Sequence, residues 1–557
     1  MAASESSSAG ENSIYSVQIL IDELGNDDAQ RRLNSIRRLD TIAKALGPNR
    51  TRDELIRYLT ESALDDCDEV LLALSEELGK FGELVGSPDQ IGCLLPPLEK
   101  LSTTEETKVR EQAIKSLHHL ASLAPQELLL SDFLPMVLRL AEAPWHTSRA
   151  SATGLISSVY TVCSDEVKKD LRNILSQFAA DEVPAVRRHA AKYLKLIVPL
   201  VDAALVRSEI FPILLSQTKD DQDSVRLLSV ENCVRIAQSL SQEESAELVL
   251  PIIQQIATDK SWRVRYMVAE HFASICGVCT AEVVQNILVP AFLHLLYDDE
   301  AEVRTAASLR VTAVSALLSQ QTIIRQILPA VKVRLTDDSQ HVRASLATVI
   351  MGLGPLLGKA YTIQYLLDIF LQFLRDEDSE VRLNIISTLH SVNDIIGIEL
   401  LSQSLLPAII QLAEDKQWRV RLAIIQYMPL LATWLGFGVF DEKLSSLCLS
   451  WLNDSVYSIR EAATNSLVKL TVLFGPEWAK SKLLPPLLAL GPGQTYLFRI
   501  TVLFTITDLG KVLPPPIVVS ELLPVLLQLA EDSVPNIRFN VAKGFQSLHA
   551  VFDKSVL

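Results

Sequence analysis

The sequence predicts an all-α solenoid: antiparallel helix pairs stacked at a period of about 39 residues, in about 14 repeats. Three periodic positions predict it. Stepping from Arg421 by that period, with a single step shorter by one, finds arginine at 13 of 14 positions from Arg32 to Arg538; Leu71 is the exception. Six residues before this marker stand Asp65, Asp181, Asp220, Asp259, Asp298, Asp337, Asp376, Asp415, Asp454 and Asp532. A third phase carries proline, at Pro96, Pro135, Pro212, Pro251, Pro290, Pro329, Pro407, Pro485 and Pro524.

A period near 40 with two helix-length apolar stretches per unit is the signature of a HEAT or armadillo solenoid. Each unit reads as helix, turn, helix, turn. In the clearest unit, Leu401–Leu412 forms the first helix, with Pro407 inside it and bending it. Glu414–Gln417 is the turn. Trp418 to about Trp434 is the second helix, with Val420, Ala423, Ile424, Tyr427 and Leu431 on one face at three- and four-residue spacing.

The periodic charges have a structural reading. The aspartate sits where an N-terminal cap of the second helix belongs, accepting from free amides and opposing the positive helix end. The arginine reaches the aspartate of the adjacent unit, and its planar fork suits a bidentate carboxylate. The expected ladder pairs the series Asp220, Asp259, Asp298, Asp337, Asp376 and Asp415 with Arg226, Arg265, Arg304, Arg343, Arg382 and Arg421, and sets the angle between units.

Taken in order, residues 1–14 are a small, polar tail, expected to fray, and 15–557 form one solenoid. Units one and two run from Ile19 to about Val85. The second turn concentrates acid in Asp65, Asp66, Asp68 and Glu69; the third carries Glu105 and Glu106. The fourth has Pro144, Trp145 and His146, the fifth Pro184 and Arg188, the sixth Asp220, Asp221 and Asp223, the seventh Trp262 and Arg263. Units eight to ten return to acidic turns at Asp298–Glu302, Asp337–Asp338 and Asp376–Glu380. Three residues before the marker, Trp418, Tyr457 and Tyr496 then follow one another in successive units. Turn residues lie at the edge of a solenoid, so these aromatics form a stripe flanked by Arg419, Arg460 and Arg499. Such a stripe has the composition of an interface hot spot.

Composition narrows the function. Hydrophobic residues are 48% and aromatics 6% of 557 residues, which suits Leu/Ile/Val/Ala helices packed on helices. A net charge of −16 opposes wrapping nucleic acid. Seven cysteines without paired spacing read as reduced thiols of a cytoplasmic or nuclear protein. Cys276 and Cys279 read as core thiols of a helix, and no metal or cofactor is expected. The start of the chain has neither the basic nor the apolar region of a signal peptide. The uncharged run Leu422–Phe440 has the length of a membrane span but contains Gln426, Pro429, Gly436 and Gly438, and reads as a core helix. Histidines are scattered, with His146 and His341 expected in turns. No nucleophile motif or phosphate loop stands out, so the chain reads as a binding surface, not an enzyme, with no small-molecule substrate.

Several of these segments resemble the scaffolding A-type subunits of type 2A serine/threonine protein phosphatases. They include VQILIDELGNDDAQRRLNSIRRL from Val17, CLLPPLEKLSTTEETKVRE from Cys93, DKSWRVRYMVAE from Asp259 and LLSQSLLPAIIQLAEDKQWRVRLAIIQYMPLLA from Leu400. The resemblance covers about residues 15–550. It implies a horseshoe of HEAT repeats without catalytic activity, part of a hetero-oligomer, whose intra-repeat turns dock two proteins. The phosphatase catalytic subunit would sit within 401–557, on Trp418, Arg419, Tyr457, Tyr496 and Asn536. A variable regulatory B subunit would sit within 15–400, on Asp65, Asp66, Asp68, Glu69, Glu105, Glu106, Trp145, Pro184, Arg188, Asp223, Trp262 and Arg263.

Two departures stand out. The family has a fifteenth repeat, whereas this sequence shows fourteen phase positions, which implies weaker catalytic-subunit binding and a fraying C-terminus. Gly493 stands where aspartate is usual. The alternative is an importin-like HEAT transport receptor or adaptor, which would bind basic peptides on acid-lined concave second helices; here the acid is concentrated in turns.

Overall fold

The computed structural model describes residues 17–62, 64–391, 395, 397, 401–489 and 495–552, and among these every regular element is a helix. The N-terminal tail, Gly493 and residues 553–557 lie outside the described residues. The chain divides into two compact units, Met1–Val283 and Val284–Leu557.

In the first unit the second helices of the repeats are α1 (Ala29–Ile36), α2 (Asp68–Gly79), α3 (Thr107–Leu123), α4 (His146–Tyr160), α5 (Pro184–Ile197), α6 (Asp223–Ser239) and α7 (Trp262–Gly277). In the second they are α8 (Ala301–Ser315), α9 (Gln340–Val349), α10 (Ser379–Thr388), α11 (Trp418–Lys443), α12 (Tyr457–Phe474), α13 (Tyr496–Gly510) and α14 (Pro535–Leu548). Within each unit every one of these helices packs against its successor. The core between them is Leu, Ile, Val and Ala with a few phenylalanines, among them Phe81, Phe133, Phe272, Phe292, Phe370 and Phe440. Each fully buried large side chain contributes about 1.5–3 kcal/mol.

The first helices differ from expectation. Leu401–Leu412 is not one bent α-helix: Leu401–Leu405 forms a wide π-turn, and the α segment Leu406–Leu412 starts after it with Pro407 second. The same arrangement recurs at Pro135, Pro212, Pro290, Pro329, Pro485 and Pro524. Proline lacks the N–H that a regular helix would bond four residues back, so the phase proline is tolerated where the ladder has already widened.

In α11 the buried face is broader than the spacing suggests. Val420, Ile424, Tyr427 and Leu431 are buried, Ala423 only half-buried, and Ile425 and Met428 join them. The helical run continues past Trp434 to Lys443, but Gly436 (φ 71°, ψ 167°) breaks it. The 26-residue segment therefore has membrane-span length and hydropathy without being one straight helix.

Gly436 also belongs to a fourth phase. Gly47, Gly86, Gly358, Gly397, Gly436 and Gly475 all have positive φ, and each follows its marker position at the same step that separates Gly436 from Arg421. Left-handed backbone there lets the second helix stop and the chain turn into the next unit. At the same phase Ser164, Ser241 and Ser319 instead cap the next helix, accepting from Val167, Glu244 and Thr322 N–H. Cys276 is buried near the end of α7, where burial pushes its thiol up to about 12, while Cys279 lies beyond the helix. His146 and His341 stand in the first turns of α4 and α9, not in the preceding turns.

A candidate docking ridge

The edge formed by the intra-repeat turns is built by the periodic aspartate and arginine. The aspartate is not the helix cap. It lies two residues earlier, and its carboxylate accepts the N–H of the cap residue itself: Asp220 from Gln222 (2.9 Å), Asp259 from Ser261 (2.8 Å), Asp337 from Ser339 (3.0 Å), Asp415 from Gln417 (2.8 Å). This is an Asx turn that sets the entry of the chain into the helix. Asp298 and Asp376 do the same for Glu300 and Asp378 (2.9 Å each).

The arginine then ties two turns together. Its Nη1 donates to the carbonyl of its own unit's aspartate, as in Arg226 to Asp220 (2.8 Å), Arg265 to Asp259 (2.7 Å) and Arg421 to Asp415 (2.7 Å). Its Nε and Nη2 grip the aspartate of the following turn. In the first unit Arg149 holds Asp181, Arg187 holds Asp220 and Arg226 holds Asp259, with Nε–Oδ2 distances of 2.7–2.8 Å. In the second, Arg304, Arg343 and Arg421 hold Asp337, Asp376 and Asp454 at 2.9 Å, and Arg499 holds Asp532 at 2.6 Å. Arg382 meets Asp415 at 3.0 Å. The first rung departs from the phase: Arg32 takes Asp66 (2.6 Å), not Asp65, because this turn places the second of two adjacent aspartates opposite the guanidinium. Burial alone pushes Asp259 and Asp337 up, but Arg226 or Arg304 together with the cap N–H brings each net below the ordinary carboxylate value.

This frame fixes what the ridge presents. Three residues before the marker is the first residue of each second helix: Trp262, Trp418, Tyr457 and Tyr496 all start one. The stripe is uneven. Tyr457 is 57% exposed, whereas Trp418 and Tyr496 are half-buried. Arg419 lies 4.9 Å over Trp418, and Arg460 lies 5.7 Å from the Tyr457 ring. The Tyr496 hydroxyl accepts from Asn536 Nδ2 (2.5 Å), so these two are held together across successive units.

In the first unit Trp145, at 71% exposure, caps α4, and Trp262, at 37%, has Arg263 5.7 Å from its ring. Asp223 joins them: it accepts from Ser261 Oγ (2.9 Å) and lies 3.8 Å from Arg263. Pro184 opens α5, with Arg188 exposed one turn on. The acidic turns are less free than their sequence suggests. Asp66 is taken by Arg32, and Glu106 caps α3 through Lys108 N–H (3.1 Å), leaving Asp65, Asp68, Glu69 and Glu105 exposed. Leu497 (49% exposed) and Phe539 (59%) also face solvent near the second-unit ridge. Spacing from the aromatic stripe misses both, because each stands at a neighbouring phase.

Residues 281–358 match the family described as PPP2R1A-like HEAT repeat, 367–468 match HEAT repeats, and 249–279 match a HEAT repeat. The repeats within these matched residues are HEAT repeats. The chain is 45% identical over 243 residues to the probable serine/threonine-protein phosphatase PP2A regulatory subunit of Caenorhabditis elegans, covering 44% of this chain and 41% of that protein. The protein phosphatase 2A scaffold subunit of Dictyostelium discoideum is 50% identical over 199 residues, 36% of this chain and 34% of that one. The chain thus matches less than half the length of these curated relatives. Among solved structures, the HEAT solenoid resembles the Kap95:Nup1 complex (TM-score 0.60, 15% identity, 96% of this chain and 72% of that one). It also resembles yeast importin-β (0.57, 15%, 98% and 78%). Likeness at that identity concerns the fold alone.

Proposed function

We propose that this protein is a non-catalytic scaffold of a type 2A protein phosphatase, found in cytoplasm and nucleus. The phosphatase catalytic subunit docks on the ridge at Trp418, Arg419, Tyr457, Tyr496 and Asn536. A regulatory B subunit docks on the first-unit ridge, at Asp65, Asp66, Asp68, Glu69, Glu105, Glu106, Trp145, Pro184, Arg188, Asp223, Trp262 and Arg263. The observation that carries this reading is the ridge: aromatics and arginines at the first turns of successive helices, locked by the Asp/Arg ladder, in a chain whose relatives are named phosphatase 2A regulatory or scaffold subunits. A scaffold of this kind acts by effective concentration, holding a catalytic and a specificity-giving partner at a fixed spacing.

Calorimetry with purified catalytic subunit tests it. Replacing Trp418 and Tyr457 by alanine together is expected to cost on the order of 2–4 kcal/mol of binding or more, because buried aromatic anchors dominate interfaces. Tight binding indifferent to both substitutions would remove the assignment of this ridge.

A further inference from the structure

Arg460 departs from the other rungs of the ladder. The residue 33 positions on, which supplies the carboxylate to Arg187, Arg226, Arg304, Arg343, Arg382, Arg421 and Arg499, is Gly493 here, as it is Ala143 for Arg110. Arg460 Nε instead donates to Thr501 Oγ1 (3.1 Å), and Nη1 donates to the carbonyls of Asp454 (2.8 Å) and Ser455 (3.2 Å). Nη2 has no hydrogen-bond partner among the described residues, although the residue is only 5% exposed. A guanidinium held on one edge with its other donor open to the groove is a ready partner for a carboxylate.

That arginine lines a groove of about 320 Å³ formed by α12, α13 and α14. Asn465, Phe504, Lys511, Asn540 and Lys543 also line it. Of the acids there, Asp508 is engaged by Lys511 at 2.6 Å, which leaves Glu461. Tyr457 and Phe504, 57% and 38% exposed, supply apolar contact at its sides. Lys543 lies 4.5 Å over the Phe539 ring, so a cation stands near the far wall. The volume is at the small end for ligand sites and suits a few side chains of an extended peptide.

We propose that this groove binds an acidic segment of a partner protein, one aspartate or glutamate carboxylate taking the place on Arg460 that a ladder aspartate takes in other units. An apolar residue beside that carboxylate packs on Tyr457 and Phe504. The groove shares Tyr457 with the ridge proposed for the catalytic subunit, but the missing carboxylate defines it, and a peptide tests it in the absence of that subunit.

The test is fluorescence anisotropy with the full chain and a fluorescein-labelled octapeptide carrying a Phe-Asp-Glu-Leu core, against its Phe-Asn-Gln-Leu counterpart. The acidic peptide is expected to bind at least about tenfold more tightly, and added salt to weaken it. Gly493→Asp puts an aspartate at the ladder phase of the sequence and is expected to abolish binding while keeping or raising Tm, which separates loss of the site from misfolding. Lys543→Glu, on the solvent-facing side of α14, should weaken binding about tenfold. Equal binding of the two peptides, no binding at millimolar peptide, or binding unchanged in Gly493→Asp would each overturn the proposal.

Discussion

At the scale of the residue, the ladder is a set of charge pairs whose value depends on burial. Arg226 shows it: its side chain is 6% exposed and that of Asp259 10%. Removing the carboxylate leaves a buried cation unpaired and also frees the Ser261 N–H, so Asp259→Ala is expected to cost about 3 kcal/mol in urea unfolding. An exposed pair such as Lys44–Asp40, with side chains 65% and 43% exposed, should cost well under 1 kcal/mol, about the surface norm. Equal costs at the two sites would contradict the burial argument. The ladder also sets acid stability. The carboxyls of Asp66, Asp181, Asp259, Asp337 and Asp532 all titrate below the ordinary value of 3.8. A depressed native pKa means that the pairs stabilise fully above the unfolded value and lose that contribution as pH falls through the native ones. Stability should therefore be flat from neutral pH to about 5 and fall steeply below about 4, with Asp259→Asn flattening part of the fall. Calorimetric melting across that range checks it, and a fall centred near pH 6 would point to histidines instead.

At the scale of the element, α4 is the unusual helix. Ala150, Ser151, Ala152, Thr153 and Gly154 are all buried in it, and a Cβ at Gly154 would stand 3.0 Å from Ile114 of α3 and 3.2 Å from Tyr193 of α5. These small side chains let its two neighbours approach across it, close enough for Lys192 of α5 to reach Glu111 of α3 at 2.5 Å. Gly154→Leu should push α3 and α5 apart, break that ion pair and destabilise by about 1–3 kcal/mol, read in thermal melts and in a longer cross-helix distance by spin labels. An unchanged distance would mean that α4 does not set the spacing. How much of this is legible in the sequence follows from what each feature depends on. The repeat, the helix pairs and the Asp/Arg partnership rest on fixed steps along the chain and are readable. The Asx turn passes for a cap, because two residues separate roles that look alike in sequence. The wide turn before most of the phase prolines, though not before Pro96 or Pro251, is invisible, since proline marks a disturbed hydrogen-bond ladder without saying which kind. The glycine and serine phase that includes Gly436 and Ser319 is readable by the same stepping. The half-burial of Trp418 and Tyr496 is not, because it depends on which neighbours cover each ring.

At the scale of the whole molecule, a solenoid is as strong as each joint between neighbouring units, since stability is close to a sum of repeat and nearest-neighbour terms. The sequence withholds the charge pair at three joints: at the partner position Leu71 has Thr104, Arg110 has Ala143 and Arg460 has Gly493. Buried hydroxyls bridge there instead. Ser116 donates to the Ser75 carbonyl (2.6 Å), Ser151 to the Ser102 carbonyl (2.6 Å), and Thr464 meets Thr505 at 2.8 Å. Neutral bonds of this kind are about half as strong as charge-assisted ones. Arg110 shows the deficit: burial pushes its pKa down, whereas Arg187 and Arg226, hydrogen-bonded to aspartates, are pushed up. Its Nε has no partner among the described residues. Hydrogen exchange should therefore find the lowest opening free energies at these joints, inside otherwise protected stacks. Ala143→Asp offers Arg110 a carboxylate that can also accept the Trp145 N–H, as the ladder aspartates do for their own cap residues. It should raise protection across α3 and α4 by about 1–2 kcal/mol and leave α6 and α7 unchanged. Uniform protection along the chain would show that helix packing alone sets the strength of each joint. A gain confined to the missing rungs would assign that strength to the ladder.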